Sequence, residues 1–206
     1  TMRNSFFRIG ILPAFLIFIM LVFEPPGISL PSLSAAVIHE CGHLAAARLL
    51  GIRLRSLDIG PLGATIQTRG YLIPYMHEWL LCAAGPAANF ATCAIIYACF
   101  SGTERFTPGG TGFNLCTVSL LLGALNLLPI EGFDGGRMLS VLVCGRHGPR
   151  AAAISVTIGS VVSVTALWML SVYLLLRWGS SPSLFIFSAS VFCRVFLEND
   201  SDRSRA

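Results

Sequence analysis

An all-α polytopic membrane protein, with about six transmembrane helices and a small membrane-associated β-hairpin after the second, is the fold class this sequence predicts. Three observations predict it. Hydrophobic residues make up 54% of the 206 residues and charged residues only 12%, at a mean hydropathy of +0.74, whereas soluble domains carry about a quarter charged residues. Apolar runs long enough to cross a bilayer recur along the whole length. Finally, the 14 basic residues are all arginine and are placed asymmetrically. With six spans and both termini cytoplasmic, Arg3, Arg8, Arg48, Arg53, Arg55, Arg69, Arg137, Arg146, Arg150, Arg194, Arg203 and Arg205 face the cytoplasm, against Arg105 and Arg177 outside. A net charge of +4 without a basic tract is topology information and excludes a nucleic-acid partner; the partner it implies is the lipid bilayer of the cell membrane.

Each element follows in order. Phe6 to Phe23 is an apolar run behind Arg3 and Arg8, followed by Glu24-Pro25-Pro26-Gly27 with no small-residue cleavage site close by; it reads as an uncleaved first span. The second span covers roughly 30–50 and stops at Gly51. Leu54 to Thr68, with Gly60, Pro61 and Gly63 in its middle, partly alternates apolar and polar residues and predicts a hairpin. A bare sheet edge is not tolerated against lipid, so this hairpin must lie on protein or in a wet cavity. The third span, roughly 76–100, contains Gly85-Pro86-Ala87-Ala88-Asn89 and starts in an interfacial belt of Tyr75, His77, Glu78 and Trp79. A loop at 101–112 precedes a fourth span, roughly 113–130, and 151–176 and 182–197 complete the set. The seven cysteines form no C-x-x-C pair and lie mostly in apolar runs, which predicts free thiols, no disulfide and no cysteine metal ligand.

The chemistry sits in the second span, which reads Ala36-Val37-Ile38-His39-Glu40-Cys41-Gly42-His43-Leu44-Ala45. Positions four apart share a helix face, so His39 and His43 can grip one cation, with Glu40 beside them to take a proton from an attacking water. Two imidazoles leave room for a third protein ligand, as catalytic zinc sites do. Three polar side chains within five residues of a membrane helix are costly, at about 2.5–3.5 kcal/mol for each charged group, and normally mark a function. His43 precedes Arg48, the cytoplasmic end of its helix, by little more than a turn. At 1.5 Å of rise per residue the cation therefore sits roughly 10 Å below that end. The third ligand is expected where a helix breaks: Asn126-Leu127-Leu128-Pro129-Ile130-Glu131-Gly132-Phe133-Asp134-Gly135-Gly136-Arg137 places Asp134 among helix breakers, and irregular backbone at membrane depth is tolerated only inside protein or along a cavity. Asn89 has two readings, an interhelical hydrogen bond or a direct role at the site. Glu131 reads as an interfacial charge, and Arg137 as an anchor to lipid headgroups.

H-E-x-x-H in one span, G-P-x-x-N in the next and N-x-x-P-x(4)-D-G-G after a third resemble the site-2 protease family of intramembrane zinc metalloproteases. The resemblance covers roughly 30–145. In layout it is similar to the sporulation stage IV branch, whose membrane-embedded hairpin Ile59-Gly60-Pro61-Leu62-Gly63 resembles. It implies a single metalloprotease domain over 1–206 with no PDZ or CBS domain. His39, His43 and Asp134 would then be the Zn2+ ligands and Glu40 the general base. Asn89 and Asn126 look like substrate-binding amides, though Asn126 equally suits a helix end. The implied partners are a membrane-associated protein substrate cut near the cytoplasmic face, such as a sigma-factor precursor in sporulation, and inhibitory membrane proteins. An extended substrate would pair with one edge of the 54–68 hairpin. A membrane metal-ion transporter using the same His and Asp groups is the rival from another class. It needs polar groups in several spans, and the last two offer none.

Overall fold

A computed structural model describes residues 7–9, 26–52, 54–60, 63–68, 74–103 and 106–178, for the strands as backbone alone. The elements run β1 (Phe7–Ile9), α1 (Pro26–Leu49), β2 (Leu54–Gly60), β3 (Gly63–Thr68), α2 (Tyr75–Phe100), α3 (Thr111–Asn126) and α4 (Asp134–Trp178). β2 and β3 pair antiparallel, from Gly60 opposite Gly63 to Leu54 opposite Thr68, with an irregularity between Leu54 and Ser56. β1 lies parallel to β2, with Phe7, Arg8 and Ile9 opposite Leu57, Asp58 and Ile59. This corrects the reading of 6–23 as one helical span from its first residues: Phe-Arg-Ile alternates apolar and charged groups, which suits a strand. The rest of that expected span, the hairpin tip Pro61–Leu62 and the expected sixth span at 182–197 lie outside the described residues.

The helices bury polar side chains beside a small apolar core and leave many large apolar side chains exposed. Buried polar side chains include Ser29, His39, His43, Asn89, Ser119, Ser160, Ser163 and Ser171, while Ile95, Tyr97, Leu121, Ile154, Ile158, Val162 and Met169 are among the large apolar residues left exposed. Large apolar residues exposed in such number are unusual on a water-soluble surface, whereas helices in lipid bury small and polar residues against one another. Tyr75–Phe100 and Asp134–Leu174 are long and apolar enough to cross a bilayer, and Thr111–Asn126 is a shorter apolar helix.

Small residues set the helix crossings. A Cβ on Gly42 would lie 2.6 Å from the Ala84 carbonyl oxygen, so α1 and α2 touch backbone to side-chain face there. Gly123 of α3 lies under the Phe90 ring of α2 in the same way. Asn114 Nδ2 donates to the Gly27 carbonyl at 2.8 Å, tying the start of α3 to the start of α1. Cys93 of α2 and Cys116 of α3 form a disulfide, which corrects the expectation of free thiols. That expectation judged each cysteine by its own apolar run; helix packing brings these two Cα atoms to 4.3 Å, within bridging reach. Cys41, Cys82, Cys99 and Cys144 are free thiols.

The fourth apolar run extends to Ile130, but α3 stops at Asn126. The chain then crosses Leu127–Phe133 as an irregular segment, with Gly132 at φ 89°, a conformation that favours glycine. The later part of α4 holds this segment in place. Ser160 Oγ accepts from the Glu131 backbone N–H at 2.8 Å, and Ile130, Phe133 and Val164 pack together out of solvent. Helix α4 begins at Asp134, earlier than the fifth span read at 151–176, and breaks at Gly148 (φ 84°, ψ 172°) ahead of Pro149. Gly135 and Gly136 start it, because a Cβ at either would strike the carbonyls of Leu127, Leu128 or Ile130. A carboxylate-bearing helix start is thereby pressed into the middle of the bundle.

Candidate metal centre

The buried stripe of α1 includes Pro31, Ala35, His39, His43 and Ala47. One residue in four repeats along it, so small side chains above and below leave the two imidazoles as the only large polar groups on that face. His39 Nε2 and His43 Nε2 stand 3.2 Å apart. Asp134 Oδ2, from the first turn of α4, completes the triangle at 3.0 Å from His39 Nε2 and 3.3 Å from His43 Nε2. Three potential ligand atoms from positions 95 residues apart therefore meet in one place. Both imidazoles are largely buried, and the Asp134 side chain keeps 13% of its surface exposed, which leaves the cluster an opening.

The surroundings fix what these atoms can do. His43 Nδ1 donates to the Leu81 carbonyl at 2.8 Å; a carbonyl can only accept, so the neutral ring keeps its proton on Nδ1 and turns a lone pair on Nε2 toward His39 and Asp134. A nitrogen lone pair, a second imidazole and a carboxylate oxygen at such distances repel unless a proton or a cation lies between them. Tetrahedral zinc, bonded at about 2.0–2.1 Å, holds its ligands about 3.3–3.4 Å apart. The observed triangle needs to open by no more than about 0.4 Å to take it. Two imidazoles and one carboxylate are also a donor set zinc uses in catalytic sites. The residues fit zinc.

The remaining candidates fall in several places. Glu40 follows His39 on α1, partly buried. Asn89, 0% exposed, faces His39 with its amide nitrogen 3.1 Å from Nδ1. Asn126 Nδ2 donates to the Leu122 carbonyl one turn back, at 3.0 Å, the helix-end bond that was one of its two readings. Glu131 is exposed. Arg137 lies 3.6 Å from Glu78, so the residue read as a headgroup anchor also joins α4 to the foot of α2. Cys41 is exposed on the far side of α1 from its neighbours His39 and His43, which are buried.

One site residue escaped the sequence reading. Of Gly85-Pro86-Ala87-Ala88-Asn89 the sequence singles out only Asn89 as a candidate, yet the Gly85 Cα faces the two imidazoles: an added Cβ would lie 2.7 Å from His39 Nε2 and 2.6 Å from His43 Cε1, with His43 Nε2 closer still. The signal was present in the Gly85-x-x-x-Asn89 spacing, which puts both residues on one face of α2.

A family model for peptidase family M50 matches residues 31–109. Among curated proteins, the chain is similar to Rip3, a candidate zinc metalloprotease of Mycobacterium tuberculosis, at 31% identity over 127 residues, 59% of this chain and 32% of the relative. It is also similar to a zinc metalloprotease of Methanocaldococcus jannaschii, at 25% identity over 138 residues, 65% of this chain and 39% of the relative. The matched regions thus span about a third of the length of these curated relatives. Among solved structures, a site-2 protease from Methanocaldococcus jannaschii superposes with a TM-score of 0.63 at 19% identity, covering 93% of this chain and 89% of that one, so the fold is shared. The H-E-x-x-H helix lies inside the segment that the peptidase family M50 model matches, and the fold around it is the one shared with that site-2 protease.

Proposed function

We propose that this chain is an intramembrane zinc metalloendopeptidase that hydrolyses a peptide bond of a membrane-associated protein near the cytoplasmic face. The observation that carries the reading is the meeting of His39 Nε2, His43 Nε2 and Asp134 Oδ2 within 3.3 Å of one another, next to Glu40 on the same helix. His39, His43 and Asp134 would hold the zinc. When bound, it supplies a Lewis acid for the scissile carbonyl and for the attacking water. Glu40 takes the proton from that water and delivers it to the leaving amine. The protein crosses the membrane several times with both ends in the cytoplasm, which agrees with the arginine distribution. Regulated intramembrane proteolysis is the setting this chemistry suits, and a sporulation sigma-factor precursor is a substrate of the right class.

A helical substrate hides its carbonyls in its own hydrogen bonds and must be extended before attack. β1 covers one edge of the β2–β3 pair, whereas β3 has no strand on its outer edge among the described residues. That edge is the docking strand of the proposal. Proline placed at successive positions along Gly63–Thr68 is expected to lower cleavage about tenfold or more wherever it removes an outward-facing N–H, with zinc content unchanged. Cleavage equal to the parent protein in every folded proline variant would remove strand addition from the mechanism.

The function itself is tested with the purified chain in liposomes. Stripping zinc with a chelator is expected to stop cleavage of a co-reconstituted membrane protein, and added zinc to restore it. Zinc flux across the liposomes without any cleavage would overturn the protease reading in favour of a transporter.

A further inference from the structure

The two imidazoles are held by different means. His43 has its Nδ1–H fixed by a backbone carbonyl, that of Leu81, which no side-chain change can remove. His39 has only the side chain of Asn89 at its Nδ1, 3.1 Å away. The two orientations of a primary amide have the same shape but opposite consequences here. With nitrogen toward Nδ1, the amide donates, and the ring must carry its proton on Nε2, which faces His43 Nε2 and Asp134 Oδ2. Asn89 Oδ1 is then left fully buried without a hydrogen-bond partner. With oxygen toward Nδ1, the ring keeps its proton there and its Nε2 lone pair joins the other two ligand atoms.

We propose that Asn89 is a positioning residue: in the metal-loaded protein its Oδ1 accepts the Nδ1–H of His39, fixing that ring in the tautomer and orientation that bind zinc. The reading rests on His39, His43 and Asp134 being the metal ligands. It differs from a substrate contact, because an amide with 0% exposure that faces a ligand ring is not placed to meet an incoming chain. Burial at this point also gives the hydrogen bond weight, since a lost partner inside the bundle is not replaced by bulk water.

The test measures zinc affinity of the full chain in detergent, by competition with a chromophoric chelator, together with 15N spectra of histidine-labelled protein. Asn89→Leu, close in size but unable to accept, is expected to weaken zinc binding by about 10- to 100-fold, as loss of an outer hydrogen-bond partner of a ligand does. Asn89→Asp, which retains an acceptor oxygen, is expected to stay within about threefold of the parent protein, since carboxylates commonly fill this role. The Nδ1 signal of His39 moves in the leucine variant and that of His43 does not. Should Asn89→Leu fail to fold, Asn89→Ala leaves the same N–H without its acceptor and takes its place. A folded leucine or alanine variant that binds zinc as tightly as the parent overturns the inference, and so does an aspartate variant as weak as leucine. Parent protein that binds zinc no better than His39→Ala overturns the metal reading itself, and this inference with it.

Discussion

Replacing Glu40 by glutamine is expected to lower cleavage by on the order of 10³-fold while zinc content stays that of the parent protein. Glutamine matches glutamate in size and can keep hydrogen bonds that the carboxylate accepts, so α1 retains its packing. What it cannot do is take up a proton at neutral pH. Glu40 is also not among the three groups whose ligand atoms converge, so the cation has no reason to leave. His39→Ala is expected to behave differently: it removes one of three ligands, leaves the Asp134 carboxylate beside a single imidazole, and loses zinc and cleavage together. Metal analysis of the purified variants, run alongside the cleavage assay in liposomes, separates the two outcomes. Retained cleavage in Glu40→Gln would remove the general base from the mechanism; loss of zinc from that variant would make Glu40 a ligand.

The difference between these two residues was legible in the sequence, because a helix fixes side-chain direction locally. Once residues 30–50 are read as helical, His39 and His43 must share a face, and the structure shows them on a stripe that also contains Ala35 and Ala47. Asp134 was legible for a second reason: an acidic residue among Pro129, Gly132, Gly135 and Gly136 is expensive in a membrane unless it has a partner. Tertiary facts were less accessible. The Leu81 carbonyl that orients His43 carries no signal, since every residue has a carbonyl. The Cys93–Cys116 bridge depends on the offset between two antiparallel helices, which neither run encodes by itself. Helix ends failed where packing set them: α3 stops at Asn126 and α4 starts at Asp134 because Ser160 and Val164, thirty residues further on, hold the intervening segment. Hydropathy sees only a run of apolar residues continuing to Ile130.

Gly85→Ala is expected to lower zinc affinity by on the order of 100-fold, with cleavage lost alongside it. The added Cβ would stand 2.6 Å from His43 Cε1 and 2.7 Å from His39 Nε2, whereas carbon atoms in contact settle at about 3.5–4.0 Å. Relief requires the rings or the helices to separate by about 1 Å. Neither is free to do so. His43 is tied to Leu81 on the same helix as Gly85, and Gly42, one residue before His43, already lies against the Ala84 carbonyl. Overpacking of this kind costs about 1–3 kcal/mol of stability, which a bundle of this size tolerates, so the variant should remain helical while losing its metal. Gly27→Ala is the control. A Cβ there meets only Asn114 Nδ2, at 3.8 Å, an ordinary contact, and zinc affinity should not change. Far-ultraviolet circular dichroism and chelator competition on the two variants together decide the matter. An alanine at 85 that leaves zinc binding intact would mean that α1 and α2 can part at the metal without cost, and that the tight crossing beneath the imidazoles is not what shapes the site.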